Sequence, residues 1–266
     1  MNGKEIKLPE RIRVLMGDKP VRLDEVGKSG STVMMLERMV LKIEKASEKT
    51  DDAEQMLGWM QGKLPVPGIL CATIRDGMHY LLMERIPGHM SCDEKQMENR
   101  DEVHALLAKG LRMLWDTDGK GCPVRRTLED DLKYVRDRVQ KKQIPPEEFY
   151  AEGFEKEAFE TPEQLLLWLE ENRPRFDPVL SHGDYCMPNV FFDQGRVSGM
   201  IDLGDAGVAD RWRDIALCWG SLERNFGGVY GGKVYHDFDP VMLVDKLGIP
   251  MDGEKLAYYL RLNAMF

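Results

Sequence analysis

Several features that would place a protein quickly are missing from this sequence of 266 residues. It has only five cysteines, an odd number, and none of them forms a Cys-x-x-Cys pair. This argues against a disulfide framework and against a structural zinc site, and a reducing cytoplasm is the simplest expectation. No stretch approaches the roughly 18 consecutive apolar residues of a membrane span. The first twenty residues are charged throughout, so we expect no signal peptide.

An excess of positive charge is also missing, because the formal net charge is -9 and the pI is near 5.2. A generic nucleic-acid binder is usually basic, so the sequence predicts neither a nucleic-acid partner nor a membrane partner. An acidic surface suits a cationic small substrate, and it suits plain solubility equally well. The composition, 42% hydrophobic and 31% charged, is ordinary for a folded chain.

The N-terminal third has the pattern of a sheet with one helix. Residues 21–44 predict a strand, a turn and a strand, and residues 51–61 have helical spacing. The prolines of "KLPVPGIL" favour an extended segment, and "HYLLMERIPG" predicts a short strand followed by a turn. The order of strands, helix and strands indicates an antiparallel sheet with a helix laid on it.

The pattern becomes mostly helical after Gly88. We expect helices over residues 103–115 and 130–139, and another that starts with the capping-box pattern of Thr161 and Gln164. Short strands should surround "HGDYCMPN" and "RVSGMIDLG". The sequence therefore predicts an α+β fold with a small lobe over residues 1–86 and a larger, mostly helical lobe over residues 87–266.

The stretch "LSHGDYCMPNVFFD" places polar residues between two apolar segments. Asp184 and Asn189 lie on a loop, and Asp202 follows at the end of the next strand. One carboxylate can accept a proton from a hydroxyl nucleophile, and the other carboxylate with the amide oxygen can hold Mg²⁺. Each residue alone is typical of a turn or a helix cap, but their combined spacing favours phosphoryl transfer.

Lys42 lies inside the apolar strand "MVLKIE". It either points outward from an alternating strand or places a positive charge near nucleotide phosphates. The second role needs an acidic partner from the following helix, for which Glu54 is the first candidate.

The segment "VGKSGSTV", residues 26–33, contains a Gly-Lys-Ser triplet without forming a P-loop. That motif needs a glycine five residues before the Gly-Lys pair, where this chain has Arg22, and it should open onto a helix. A hairpin tip that covers phosphates fits better, and an ordinary flexible hairpin is the alternative.

The strand "LLMERIPGH" ends where the two predicted lobes meet. Backbone groups of Glu84 and Ile86 could bond the edge of an adenine ring there, or the segment could be a simple linker.

Together these segments resemble the aminoglycoside phosphotransferase family, and the 3′-phosphotransferases in particular, within the eukaryotic-protein-kinase-like superfamily. The resemblance runs essentially end to end, and it rests on "HGDYCMPN", "GRVSGMIDLGDAGVADRWRDIALC", "GKLPVPGIL" and "YYLRLNAMF". It implies a bilobal protein-kinase-like fold with a nucleotide-binding lobe that ends in a hinge strand. The larger lobe would carry the catalytic loop, the metal site and the acceptor site.

The resemblance also implies a role for each matching residue. Asp184 would orient or deprotonate the acceptor hydroxyl, and Asn189 and Asp202 would bind Mg²⁺. Around the nucleotide, Lys42 would bridge the α- and β-phosphates and Ser29 would touch the β-phosphate. The adenine would meet the Glu84 carbonyl, the Ile86 N–H and the side chain of Val40. His182 and Asp214 would organise the catalytic loop.

This chain departs from the family pattern at several positions. The lysine-pairing glutamate of the family falls on Ala53, one residue and about 100° of helical rotation before Glu54. Asp205 stands where the 3′ group has arginine, and Met187 stands where relatives offer an acidic residue to the acceptor. Arg224 and the ending "NAMF" likewise replace acidic positions, and glutamates among residues 147–157 could supply replacement charge.

The leading hypothesis is therefore a kinase that uses ATP, or GTP, with Mg²⁺ to phosphorylate an aminoglycoside, favouring its 3′-hydroxyl and giving antibiotic resistance. The lost acidic positions motivate an alternative, a kinase of another sugar or an amino alcohol. The displaced glutamate motivates a third, a nucleotide-binding protein without catalysis. The sequence leaves a monomer and a homodimer equally open.

Overall fold

A computed structural model describes residues 7–24, 31–144 and 159–266. The described helices are α1 (Glu10–Met16), α2 (Glu48–Met60), α3 (Glu94–Met97), α4 (Arg100–Trp115), α5 (Leu128–Gln140), α6 (Pro162–Glu171), α7 (Arg211–Phe226), α8 (Val241–Leu247) and α9 (Gly253–Asn263). The described strands are β1 (Arg22–Asp24), β2 (Thr32–Met35), β3 (Met39–Lys45), β4 (Ile69–Arg75), β5 (Met78–Glu84), β6 (His89–Met90), β7 (Pro178–Ser181), β8 (Val190–Asp193), β9 (Arg196–Met200) and β10 (Gly207–Asp210). The α+β fold class is confirmed.

The N-terminal strands form one antiparallel sheet in the order β1-β2-β3-β5-β4. Successive side chains of a strand point to opposite faces. Met39, Leu41 and Ile43 of β3 are therefore buried on one face, while Lys42 and Glu44 lie on the other. The central strand thus turns its lysine away from the apolar face of the sheet.

Helix α1 covers the apolar face of this sheet. Ile12 and Met16, four residues apart and so on one side of the helix, are buried in a cluster with Leu41 and Leu82. Helix α1 was not predicted from the sequence, because its surroundings are dominated by charge and it has only two turns.

Helix α2 begins three residues earlier than the sequence predicted. The Ser47 hydroxyl accepts a hydrogen bond from the Thr50 N–H, and the Thr50 hydroxyl accepts one from the Ser47 N–H. Met56, Leu57 and Met60 of α2 are buried in the same hydrophobic cluster as the helices of the C-terminal part. One hydrophobic core therefore contains side chains of α2 and of the C-terminal helices.

The C-terminal part is mostly helical, as expected, with two small antiparallel sheets. Strand β10 pairs with β7, and β6, β8 and β9 form the second sheet in the order β6-β8-β9. Thr161 caps α6 by accepting from the Gln164 N–H, and Pro162 is the first helical residue. The Gln164 side chain accepts from the Glu160 N–H, so the predicted capping box is only half formed.

Segments that flank strands of the N-terminal sheet contact the C-terminal part at β9. The Met200 N–H donates to the Pro65 carbonyl at 2.9 Å, and the Ser198 hydroxyl donates to the Pro87 carbonyl at 2.7 Å. The Ile86 side chain lies so close to Gly199 that a Cβ atom there would overlap it. The segment that follows β5 therefore rests directly on β9.

All five cysteines are free thiols. None of the helices in the described part of the chain is both long and apolar enough to cross a membrane.

Candidate active site

The stretch between β7 and β8 forms a tight loop, as its glycine and proline predict. Gly183 has a φ of +81°, and a Cβ atom on it would overlap the Asp205 carbonyl. A single 3₁₀ turn over Met187–Asn189 then leads into β8. The loop carrying Asp184 is thus packed backbone to backbone against the loop that follows Asp202.

The carboxylate of Asp184 is held from both sides. The Asn189 amide nitrogen donates to Asp184 Oδ2 at 2.9 Å and to the Asp184 carbonyl at 3.0 Å. The Cys186 thiol donates to the other carboxylate oxygen, Oδ1, at 3.1 Å. Because its nitrogen faces Asp184, Asn189 keeps its amide oxygen for another ligand.

Asp214 secures the catalytic loop, as the resemblance implied. Its carboxylate is fully buried and accepts from the His182 N–H at 2.8 Å and from the Gly183 N–H at 2.9 Å. The His182 ring accepts from the Asp184 N–H at 3.3 Å through Nδ1, which makes it an organiser of the loop as expected.

Met187 is fully buried in the core. Its N–H donates to the Ser221 hydroxyl at 2.9 Å, and its carbonyl accepts from the buried Ser91 hydroxyl at 2.7 Å. In this chain the position where the family offers an acidic residue therefore anchors the catalytic loop.

Asp202 lies just beyond β9, next to the catalytic loop. The Ile201 N–H donates to the Asn189 carbonyl at 3.0 Å, which brings Asp202 and Asn189 to the same place. The φ of Asp202 is +61°, a left-handed conformation that aspartate tolerates better than most residues.

Lys42 reaches this site from β3. Its Nζ lies 3.0 Å from Asp202 Oδ1 and 3.3 Å from Glu44 Oε1. Burial in the cleft would lower the pKa of Lys42, but the carboxylates of Asp202 and Glu44 outweigh it and the pKa is raised. The same ion pair outweighs the desolvation of Asp202, whose pKa is lowered. Both groups are therefore charged at neutral pH.

Glu54 does not hold Lys42, contrary to the expectation from sequence. Its carboxylate lies 3.0 Å from Nε2 of the buried His79 of β5. Within residues 7–24, 31–144 and 159–266, the carboxylates paired with Lys42 are those of Glu44 and Asp202. Helix α2 presents Glu54 to His79, so the acids that pair with the lysine come from its own strand and from the loop after β9.

The expected adenine contacts lie at the end of β5. The Glu84 N–H donates to the Gly68 carbonyl and the Arg85 N–H to the Arg38 carbonyl. No backbone partner is recorded for the Ile86 N–H among the residues that the structure describes. Val40 lies on the same face of β3 as Lys42. Ser29 lies outside the described residues, as do the glutamates among residues 147–157.

The donor set suits Mg²⁺ better than a tightly caged metal. Across the described parts of the chain, no group of three or more His, Cys, Asp or Glu side chains is placed to hold a metal ion. Asn189 and Asp202 instead offer one amide oxygen and one carboxylate in neighbouring positions. Mg²⁺ keeps several waters and takes phosphate oxygens alongside one or two protein ligands, so these residues fit it.

Two cationic residues near this site were missed by the sequence analysis. Arg126 donates to Asp52 of α2 and to the Gly204 carbonyl, and Lys49 of α2 pairs with Asp205. Arg126 and Lys49 look like ordinary surface residues in the sequence, and no local pattern marks them. Asp205 departs from the 3′ group at the position that Lys49 contacts.

Proteins of known family resemble this chain along most of its length. A family model described as the phosphotransferase enzyme family matches residues 21–240. The chain is 34% identical to an aminoglycoside 3′-phosphotransferase of Niallia circulans over 100% of both chains. It is 32% identical to one of Enterococcus faecalis, over 91% of this chain and 92% of the relative.

Solved structures give the same result. A type VIII aminoglycoside-3′-phosphotransferase superposes with a TM-score of 0.75 at 26% identity, over 96% of this chain and 98% of that one. An aminoglycoside phosphotransferase of Streptomyces rimosus gives a TM-score of 0.78 at 22% identity, over 96% of each chain. The chain belongs to the phosphotransferase enzyme family.

Proposed function

We propose that this protein transfers the γ-phosphate of ATP to a hydroxyl group of an aminoglycoside, favouring the 3′-hydroxyl. One observation carries the proposal: Lys42 of β3 pairs with Asp202, 160 residues further along the chain, beside the loop in which Asn189 holds the Asp184 carboxylate. The similarity to aminoglycoside 3′-phosphotransferases over the whole of both chains supports the choice of acceptor.

Asp184 receives the acceptor hydroxyl in this proposal. Its carboxylate is fixed by Asn189 on one oxygen and by Cys186 on the other, so its orientation is set before the acceptor binds. A carboxylate in this position accepts the hydroxyl proton as the new oxygen–phosphorus bond forms. Positioning and charge neutralisation supply most of the rate enhancement in phosphoryl transfer.

Asn189 and Asp202 would hold Mg²⁺, which would neutralise charge on the phosphates. Lys42 is charged at neutral pH and is the cation nearest to Asp202 in the cleft. A bound nucleotide would offer its phosphates to this ammonium group, which would then be shared between the phosphates and Asp202. The lysine therefore sets the position of the phosphates relative to Asp184.

The adenine would lie against the end of β5 and the β3 side chain of Val40. The Ile86 N–H and the Glu84 carbonyl are the groups proposed to bond its edge. The neighbouring N–H groups of Glu84 and Arg85 are already used by backbone carbonyls, which leaves Ile86 as the donor in this segment. Ser29 would complete the site at the phosphate end.

The test couples ADP release to a spectroscopic readout with purified protein, ATP, Mg²⁺ and kanamycin. We expect acceptor-dependent ADP release, and none with a matched aminoglycoside that lacks the 3′-hydroxyl. Release with the 3′-deoxy compound would overturn the regiochemistry. No ADP release across a panel of aminoglycosides would overturn the proposed acceptor class. Activity with another sugar or an amino alcohol would then identify that compound class as the acceptor.

The role of Asp184 has its own control. Asp184→Asn should lower kcat by at least about 100-fold while nucleotide affinity changes little, because the general base is lost. Asp193→Asn is the matched variant, since the Asp193 side chain has no recorded hydrogen bond in the described part of the chain. Equal turnover in Asp184→Asn and Asp193→Asn would exclude this role for Asp184.

A further inference from the structure

The loop that carries Asp202 adopts a backbone conformation that must be held in place. Asp202 has a φ of +61°, which is unfavourable for a residue other than glycine. Such a conformation persists only where the surroundings fix it, and its own ion pair with Lys42 fixes the side chain rather than the backbone. The contacts that hold the backbone of the loop therefore decide where the Asp202 carboxylate points.

Arg126 makes the central contact. Its Nη2 donates to the Gly204 carbonyl at 3.1 Å, two residues after Asp202. The same nitrogen donates to Asp52 Oδ2 of α2 at 2.7 Å. The two side chains are only 25% and 20% exposed, so solvent screens this charged pair less than it would a surface pair. One guanidinium nitrogen thus joins α2 to the Asp202 loop.

The backbone of Arg126 is itself fixed to the strand that follows the loop. The Arg126 N–H donates to the Val208 carbonyl at 2.9 Å, and the Val208 N–H donates to the Val124 carbonyl at 3.0 Å. Arg126 therefore approaches Gly204 from a rigid position. A change in the Arg126 side chain would move the loop, whereas the segment around it would stay paired with β10.

A second ion pair acts beside the first. Lys49 Nζ lies 2.6 Å from Asp205 Oδ2, and the Lys49 stem passes over Gly204. These side chains are 63% and 36% exposed, and exposed ion pairs contribute little. The half-buried contacts of Arg126 therefore carry most of the effect.

We propose that Arg126, held by Asp52, is a positioning residue that sets the backbone of the Asp202 loop and so aims the Asp202 carboxylate at the metal. The inference rests on the proposed function in taking Asp202 as a metal ligand. Through Asp52, α2 would then help to position the Asp202 loop, independently of Glu54. Residues that orient a metal ligand without touching the metal commonly lower metal affinity about 10- to 100-fold when they are replaced.

The experiment measures Mn²⁺ binding to the full chain in the presence of saturating ADP, from the electron paramagnetic resonance signal of free Mn²⁺. Arg126→Ala should weaken Mn²⁺ binding at least about tenfold, and Arg126→Lys should fall in between. Arg125→Ala is the matched control, because the exposed Arg125 has no recorded side-chain contact among the described residues. It should bind Mn²⁺ like the unchanged chain.

Metal-free ADP affinity separates positioning from general damage. Arg126→Ala should change it less than about twofold, since Arg126 contacts Asp52 and the Asp202 loop but none of the groups proposed to bond the adenine. If Arg126→Ala fails to fold, Asp52→Asn tests the same link, with weaker Mn²⁺ binding expected. Asp52→Asn combined with Arg126→Ala should bind Mn²⁺ no more weakly than Arg126→Ala alone, because both act through one contact.

Mn²⁺ affinity of Arg126→Ala and Asp52→Asn equal to that of the unchanged chain would overturn the proposal. So would additive losses in the double variant, or absence of Mn²⁺ binding by the unchanged chain with ADP. The assay contains no acceptor, so its result is independent of the acceptor class. A chain that binds Mn²⁺ with ADP as described and phosphorylates no aminoglycoside would sink the proposed function alone.

Discussion

Glu54 of α2 lies 3.0 Å from the His79 ring nitrogen and not beside Lys42. On the neighbouring strand, His79 stands opposite Glu44, and Glu44 is 3.3 Å from the lysine. This face of the sheet therefore carries two neighbouring pairs, Lys42 with Glu44 and His79 with Glu54. Besides Asp202, the acid that pairs with Lys42 is Glu44, at position i+2 of the same strand, where it moves with the lysine.

Replacing Glu44 should therefore affect nucleotide binding more than replacing Glu54. Glu44→Gln should raise the KM for ATP about three- to tenfold, because Lys42 loses a charged hydrogen-bond partner that is partly buried. Glu54→Gln should change it less than about twofold. Initial-rate kinetics at saturating acceptor measure both, with exposed Glu48→Gln as the control. A larger effect from Glu54→Gln would show that the helix, and not the strand, holds the lysine.

Cys186 should influence turnover through the Asp184 carboxylate. Burial and the nearby Asp184 charge raise the pKa of the Cys186 thiol, so it stays protonated and donates its hydrogen bond at neutral pH. Cys186→Ala removes this donor and should lower kcat about three- to tenfold. Cys186→Ser keeps a donor at this position and should retain most of the original kcat. The kcat of both variants is measured at saturating substrates, with Cys92→Ser as the control. Equal kcat for the alanine and serine variants would contradict this role.

Asp214 should matter for both stability and turnover. Asp214→Ala leaves the buried His182 N–H without its acceptor, which typically costs about 1–3 kcal/mol, and leaves the Gly183 N–H with only the Ser181 hydroxyl at 3.1 Å. Denaturant unfolding measures the free energy, and kcat should fall with it because the catalytic loop loosens. Asp237→Ala, at an exposed position, is the control. A loss below about 0.5 kcal/mol would be inconsistent with these bonds.

The buried His104 should make unfolding depend on pH. Burial lowers its pKa from 6.5, despite the bond from Nδ1 to the Arg100 carbonyl, and its ring stacks on Phe226 and Phe238. Below pH 6.5 the unfolded chain takes up a proton that the folded chain refuses, so the unfolding free energy falls as pH falls.

His104→Phe should remove this contribution. Its unfolding free energy should decline less than that of the unchanged chain between about pH 7 and pH 5, by roughly 1 kcal/mol. The exposed His236→Phe should follow the unchanged chain. Parallel curves for His104→Phe and the unchanged chain would mean that His104 titrates alike in both states.

The sequence predicted those parts of the site that lie in one short stretch. Asp184 and Asn189 are five residues apart on a loop that Gly183 and Pro188 mark, and Asp202 follows the next strand. For Lys42 the sequence left two alternatives, a lysine that points outward from an alternating strand and one that serves the phosphates, and the structure places it on the face opposite the buried side chains of β3. Local spacing determines these positions, and the structure places the residues together.

Contacts between distant segments could not be predicted in the same way. Arg126 and Asp52 are 74 residues apart, and Lys49 and Asp205 are 156 apart, and no local pattern indicates that either pair meets. The partner of Glu54 was missed for another reason. One residue along a helix turns a side chain by about 100°, so the identity of the acid on α2 does not say which strand residue it meets.

The hydrophobic cluster that joins α2 to the C-terminal helices has a consequence for protein engineering. Met56, Leu57 and Met60 belong to the same buried cluster as Leu107 and Leu111 of α4. A chimaera that exchanged residues 1–86 for those of a relative would therefore replace part of an interior that both halves build together. A graft of this kind needs matched substitutions in α4, and the sheet with α1 is the smaller unit that carries its own separate interior.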